Sequence, residues 1–403
     1  MIALSNIVQA KRVVSNVVDQ TPFPKSPILS QMCDAEVFLK KENLQITGAY
    51  KIRGAYNKIA SLNKDEKKRG VIAASAGNHA QGVAYSAREF GVKAIIVMPE
   101  ATPLLKVTGT KELGAEVILK GDNYDEAFAH AVEVAKKEGL TFIHPFEDEA
   151  VIAGQGTVAL EMLDCVDDLD YVVVPIGGGG LISGVASAIK QLDPDIKVIG
   201  VTAKGAPALF NSYRAKSVIN SKSVRSIADG IAVRDTSEKN LAHILECVDL
   251  VVQVDDEEIA TAILFLLERQ KIVVEGGGAA GVAALMHKKF DYEPKSKIGI
   301  ILSGGNIDVQ ILSVIIEKGL IKSARKMIIS VTLVDKPGAL MNLTDILREA
   351  NANIIKIDYD RTSTTLSYGD ANITITLETK GKEHQEEVRM KLKEGGYSFV
   401  ETF

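Results

Sequence analysis

Between Val37 and Leu320 short apolar runs alternate with longer stretches of helical periodicity, and this alternation leaves the chain few architectures. The runs are Val71–Ser75, Ala94–Met98, Glu116–Leu119, Tyr171–Ile176, Lys197–Val201, Leu250–Val254 and Ile298–Ser303. Segments between them, such as Asn123–Glu138 and Asp256–Glu268, carry apolar residues at helical spacing. A strand that is apolar along its length is buried on both faces, which is the condition of a parallel strand between two helix layers. The expectation is an α/β protein with mainly parallel sheets.

After Lys322 the pattern changes. Met327–Val334 reads as a strand, Gly338–Ala350 as a helix, Asn353–Arg361 and Ala371–Glu378 as strands, Lys382–Glu394 as a helix and Tyr397–Phe403 as a last strand. That βαββαβ order is the ferredoxin-like one, so a separate C-terminal domain over 325–403 is expected, joined to a domain over 1–322 through a linker at Gly319–Ala324. A net charge of −5 without a Lys/Arg cluster argues against nucleic acid as a main partner. No apolar run is long enough to span a membrane, and Met1–Ala10 lacks a basic region followed by an apolar one. Cys33, Cys165 and Cys247 lie far apart without CxxC spacing, and read as buried thiols in a reducing cytoplasm.

Glycine-rich turns follow three of the apolar runs. Gly177-Gly178-Gly179-Gly180-Leu181 lies between the run at Tyr171 and a helical stretch at Leu181–Lys190, where free N–H groups and a helix N-terminus suit an anion. No frame of Gly177–Gly184 satisfies GxGxxG, and the next strand ends without an acidic residue, so a phosphate cup fits better than a dinucleotide site. A merely tight strand–helix connection is the alternative. Ser75-Ala76-Gly77-Asn78-His79-Ala80-Gln81-Gly82 precedes a helical stretch at Val83–Phe90; its N–H groups, the Ser75 hydroxyl and the Asn78 and Gln81 amides suit a carboxylate, with His79 in a supporting or structural role. Ser303-Gly304-Gly305-Asn306 places a hydroxyl where it can bond a ring nitrogen or cap a helix. Lys51 opens a helix after Gly48-Ala49-Tyr50; alone it would be an ordinary surface lysine, and its significance comes from these turns. A lysine amine, phosphate-cradling N–H groups and a partner for a ring nitrogen are what a pyridoxal phosphate enzyme requires.

With these residues in view, the chain resembles the fold type II pyridoxal phosphate enzymes, and among them the threonine dehydratases. The resemblance implies two open, mainly parallel sheets of the tryptophan synthase β-like fold, with a small subdomain at about 45–150 inserted in a large one. It implies that Lys51 of Ala49-Tyr50-Lys51-Ile52-Arg53-Gly54 bonds the cofactor aldehyde, and that Asn78 contacts the ring hydroxyl. Ser75 would help hold the substrate carboxylate, Gly177–Leu181 the phosphate, and Ser303 the pyridine nitrogen. The C-terminal segment resembles an ACT domain through Asp335-Lys336-Pro337-Gly338-Ala339-Leu340, a match to D-x-P-G-x-L. That implies an amino-acid effector, isoleucine foremost, bound near Asp335, Pro337, Gly338 and Leu340, and a homodimer or homotetramer. The implied reaction is β-elimination from L-threonine to 2-oxobutanoate and ammonia, with L-serine giving pyruvate.

Two departures narrow this. Racemases of the family carry a second serine where this chain has Ala76, so racemisation is disfavoured. Members that bind a divalent cation carry an acidic residue after the strand matching Lys197–Val201, where this chain has Thr202-Ala203-Lys204, so no metal is expected there. Synthases on the same scaffold, and a catalytically silent amino-acid sensor, are the alternatives.

Overall fold

The computed structural model describes residues 1–402. They form two compact units that divide between Asp308 and Val309. The first contains β1 (Glu36–Lys40), β2 (Val71–Ala74), β3 (Ala94–Met98), β4 (Glu116–Leu119), β5 (Thr141–Phe142), β6 (Tyr171–Pro175), β7 (Lys197–Ala203), β8 (Leu250–Val254) and β9 (Lys297–Ile301). They build a five-stranded sheet in the order β1-β9-β6-β7-β8 and a four-stranded sheet in the order β4-β3-β2-β5, parallel throughout. The strands expected from the sequence are all present; β1 and β5 are additional. Val172, Val173 and Val174 are fully buried, as are Ile72 and Ile96, because helices cover both faces of each sheet.

The strand orders decide where ligands bind. In the large sheet the chain steps outward from β6 through β7 to β8, then returns to the other side of β6 as β9. In the small sheet it steps from β2 through β3 to β4 and returns as β5 beside β2. Crevices open at carboxyl ends where the strand order reverses. One crevice is therefore flanked by the turns after β6 and β9, at Gly177 and Ser303, and the other by those after β2 and β5, at Ser75 and His144.

The two sheets are joined by helices Lys51–Ser61, Glu149–Cys165 and Gly180–Leu192, which cross at glycine. A Cβ on Gly154 would stand 2.6 Å from the Arg53 carbonyl oxygen, and one on Gly184 would stand 2.6 Å from Gly156 N and overlap the Ile152 carbonyl oxygen. Backbone, not a movable side chain, fills both places. Gly184→Ala is accordingly expected to cost about 1–3 kcal/mol, read as a lower denaturant midpoint, since the helices must separate to admit the methyl group.

The second unit begins with helix Val309–Lys322, whose last turn includes most of the segment Gly319–Ala324. It continues with β10 (Lys326–Val334), helix Ala339–Glu349, β11 (Asn353–Asp360), β12 (Asp370–Glu378), helix Lys382–Glu394 and β13 (Phe399–Thr402). The antiparallel order β11-β12-β10-β13 is that of a ferredoxin-like sheet. Alternate residues of β10 (Met327, Ile329, Val331, Leu333) and β12 (Ala371, Ile373, Ile375, Leu377) are buried against Leu343, Leu347, Val388 and Leu392 of the two helices. The expected last strand starts at Phe399 rather than Tyr397, and its end at Phe403 lies outside the described residues. Among the described residues no helix is long and apolar enough to cross a membrane. The cysteines differ from expectation: Cys247 is buried, Cys33 half-buried and Cys165 exposed, all as free thiols.

Candidate active site

Lys51 is the first residue of its helix, and the segment before it is sewn to the turn after β9. Tyr50 N donates to the Ser303 carbonyl at 3.1 Å and Gly305 N to the Gly48 carbonyl at 2.8 Å, while Ala49 bridges Gly304. Gly48 has φ +70°, the left-handed conformation that lets the chain turn there. Two residues on, the Arg53 guanidinium is fully buried between Glu42 and Glu161, which anchors the helix from below. The half-buried Lys51 Nζ donates to the Pro145 carbonyl at 2.9 Å. Burial lowers its pKa to about 8, against the opposing pull of Glu275. A lysine amine in that range is available as a nucleophile and a base.

The serine–glycine turn differs from expectation in one respect. The helix expected to begin near Val83 begins at Asn78, with Gly77 at its N-cap, so Asn78, His79 and Gln81 belong to its first turn. Gly77 N donates to the Ser75 hydroxyl at 3.2 Å. Asn306 Nδ2 donates to Asn78 Oδ1 at 2.8 Å and to Gln81 Oε1 at 3.3 Å, joining this turn to the one after β9. His79 is buried with Nε2 2.8 Å from the Ile143 carbonyl; burial first, then Lys51, hold its pKa down to about 3, so the ring is neutral. A neutral ring bonded to a backbone carbonyl through Nε2 has Nε2–H as its donor.

The four-glycine turn meets the loop after β5. A Cβ on Gly178 would stand 2.5 Å from Phe146 Cγ, and one on Gly180 would stand 2.9 Å from Phe146 Cα. Asn240 Nδ2 donates to both the Gly178 and Phe146 carbonyls, at 2.6 and 2.8 Å. Gly179 has φ +91° and is the N-cap of helix Gly180–Leu192. The first turn of that helix leaves the N–H groups of Gly180, Leu181 and Ile182 without intrahelical partners. Pro145 and Phe146 thus link Lys51 on one side to the glycine turn on the other. Ser303 is buried two residues beyond β9. Lys51, Asn78, Gly177–Leu181 and Ser303 are tied into one cluster with Ser75 and Gln81 beside it, while Asp335, Pro337, Gly338 and Leu340 belong to the second unit.

The sequence reading missed Glu275, Asn240 and the His144-Pro145-Phe146 loop, and gave Asn306 no role of its own. Asn306 adjoins Ser303-Gly304-Gly305, and Glu275 precedes a further glycine run, Gly276-Gly277-Gly278; both signals were local. The loop followed a strand of only two residues, too short to read, and Asn240 sits in the first turn of an ordinary amphipathic helix.

Parallel sheets whose switch points lie on both sides of the half-buried Lys51, followed by the N-termini of helices Asn78–Glu89 and Gly180–Leu192, define a class of α/β enzymes that bind a phosphorylated aldehyde cofactor. The sequence description of the pyridoxal-phosphate dependent enzymes matches residues 14–304, and the chain belongs to that family. It is 48% identical over 397 residues to an L-threonine ammonia-lyase of Thermotoga maritima, covering 98% of each chain. Among solved structures it is similar to threonine deaminase isoform 2 of Solanum lycopersicum, with a TM-score of 0.75 and 37% identity over 78% of this chain and 86% of that one. It is also similar to maize serine racemase, with a TM-score of 0.74 and 36% identity over 79% and 98%. The residues present fit the cofactor of the family: a lysine with pKa about 8 and a glycine turn that opens a helix N-terminus with no side-chain cap.

Proposed function

We propose that the chain is an L-threonine ammonia-lyase that converts L-threonine to 2-oxobutanoate and ammonia. The observation that carries the chemistry is the Lys51 amine, deprotonated above about pH 8 and held at the meeting point of the loops after β2, β5, β6 and β9. The likeness to the Thermotoga maritima enzyme over nearly the whole chain supports threonine as the substrate. Pyridoxal phosphate supplies a sink for the electrons left when Cα loses its proton. Lys51 would hold the cofactor through its amine, and the same amine, once free, would be the base for the α-proton. The Ser75 hydroxyl and the first turn of helix Asn78–Glu89, with Asn78, His79 and Gln81, would orient the substrate carboxylate through backbone N–H groups and the positive end of the helix dipole, while the Asn78 side-chain amide would contact the ring hydroxyl of the cofactor. Gly177, Gly178, Gly179, Gly180 and Leu181 would hold the phosphate by N–H donation. Ser303 would offer a neutral hydroxyl to the ring nitrogen, which would favour elimination over chemistry that needs a fully protonated ring.

L-Serine lacks only the β-methyl group of threonine, and the same steps give pyruvate. The racemase alternative is weakened by Ala76, which has no hydroxyl to act from the opposite face. In the second unit the Asp335 carboxylate accepts from Tyr359 Oη at 2.9 Å and Arg361 Nη2 at 3.1 Å, and Gly338, with φ +87°, opens helix Ala339–Glu349 without a side-chain cap. Uncapped N–H groups beside Pro337 and Leu340 suit the carboxylate of an amino-acid effector, isoleucine foremost. The likeness of the second unit to an ACT domain supports a homodimer or homotetramer, and the free thiols suit a reducing cytoplasm. The test is 2-oxo acid release from L-threonine with and without isoleucine. Threonine-dependent 2-oxobutanoate whose rate responds to isoleucine is expected. No keto acid from threonine or serine overturns the lyase assignment in favour of a synthase, and D-serine formed from L-serine without pyruvate overturns it in favour of a racemase.

A further inference from the structure

Glu275 stands outside the roles assigned so far. It occupies the N-cap of helix Gly276–Met286 but makes no side-chain bond to it, and only 5% of its surface is exposed. Its Oε1 accepts from Asn78 Nδ2 at 2.7 Å. A Cβ on Gly304 or Gly230 would stand 2.6 or 2.8 Å from that same oxygen, so glycine backbone closes the carboxyl in from two sides. The other end of the Asn78 amide is also held, because Oδ1 accepts from Asn306 Nδ2 and Asn306 is itself tied to the Thr47 carbonyl at 2.9 Å. One Nδ2 hydrogen of Asn78 remains to be donated.

We propose that Glu275 is a positioning residue that holds the Asn78 amide in one orientation, so that its remaining N–H faces the cofactor ring. Without a partner at each end an amide rotates, and donor and acceptor exchange places. The charged and titratable groups facing Glu275 are Asp229 from the turn Asp229–Ile231, Lys106 from helix Leu104–Glu112, and Lys51 and Tyr50. Lys106 is itself paired with Asp229 at 3.1 Å. Burial, then Asp229, push the Glu275 carboxyl up to about 7, so it changes charge within the physiological range. An ionised Glu275 grips Asn78 more strongly than a neutral one, which makes the contact to the ring sensitive to pH.

The inference rests on the cofactor role proposed for Asn78, and pyridoxal phosphate titrated into the full-length apoprotein, followed by absorbance, separates the two. Glu275→Leu is expected to weaken cofactor binding about tenfold or more in the wild-type background, and to change it little in an Asn78→Ala background. Glu275→Gln keeps an acceptor oxygen and is expected to hold the cofactor within about threefold of wild type. It is also expected to lose a pH-dependent change in the bound cofactor's absorbance centred near about 7, which a purely structural role would not abolish. Independent, additive losses in the double variant overturn the proposal, as does a Glu275→Gln protein whose spectrum titrates like wild type. If Glu275→Leu does not fold, the Glu275→Gln titration decides alone. Cofactor affinity untouched by Asn78→Ala fails the role of Asn78 itself, and the inference with it.

Discussion

Replacement of Lys51 by alanine is expected to lower 2-oxobutanoate release from L-threonine by at least roughly 10²–10⁴-fold, the usual contribution of a positioned base, and further because the same amine tethers the cofactor. Cofactor that stays with wild-type protein through denaturation after borohydride reduction will separate from the Lys51→Ala chain. Undiminished keto acid release would remove Lys51 from the chemistry. The environment of the amine adds a pH signature. Its folded-state pKa is lowered to about 8 by burial, so only the fraction deprotonated at a given pH can attack the cofactor aldehyde. Covalent attachment to apoprotein should rise about tenfold per pH unit below about 8 and level off above it. The same shift makes folding stability climb from about 8 toward the unfolded lysine value, since the unfolded chain then binds the extra proton.

Arg53→Ala is expected to destabilise the protein by about 3–5 kcal/mol, measured by chemical denaturation of the apoprotein. The Arg53 guanidinium reaches Glu42 through Nε and Nη2, each at 2.8 Å, and Glu161 through Nη1 and Nη2 at 2.6 and 2.9 Å. Lys40, equally buried, donates to Glu161 at 2.5 Å and to the Thr21 carbonyl at 2.7 Å. Two carboxylates and two cations leave the group neutral and hydrogen-bonded, so its worth lies in its completeness. Burial alone would raise the Glu42 pKa, but Arg53 brings it below the ordinary value. Wild type therefore gains stability from Glu42 at neutral pH and loses it as pH falls through that lowered pKa. Without Arg53 the sign reverses: the fully buried Glu42 loses the cation that lowers its pKa, burial then raises it, and the variant should lose stability as pH increases. A flat pH difference between variant and wild type would mean the network is not ionised as described. Arg53→Lys should recover only part of the loss, because an ammonium cannot serve Glu42 and Glu161 with paired donors.

Arg53 shows where sequence reading stops. Its neighbour Lys51 was identified from a motif, yet nothing local marks Arg53 as buried, since its partners Glu42 and Glu161 come from separate elements. The strands were legible because a strand buried on both faces must be apolar throughout, and the second unit because alternate residues of β10 and β12 face one core. β5 was not legible at two residues, and the Pro145 carbonyl that holds Lys51 went unseen with it. Glu275 was missed for a different reason. A glutamate ahead of a helix reads as a capping residue, and only its position against Asn78 and Gly304 gives it another use.

By itself the sequence determined the alternation of strand and helix, the position of the lysine and the turns that surround it, because these depend on local backbone freedom and on which residues tolerate burial. Strand order, the switch points that bring turns distant in sequence to one crevice, and the charge states of Lys51, His79 and Glu275 were decided only by the tertiary structure. Those properties depend on which groups lose water and which partners they meet, and both are set by contacts between residues remote along the chain.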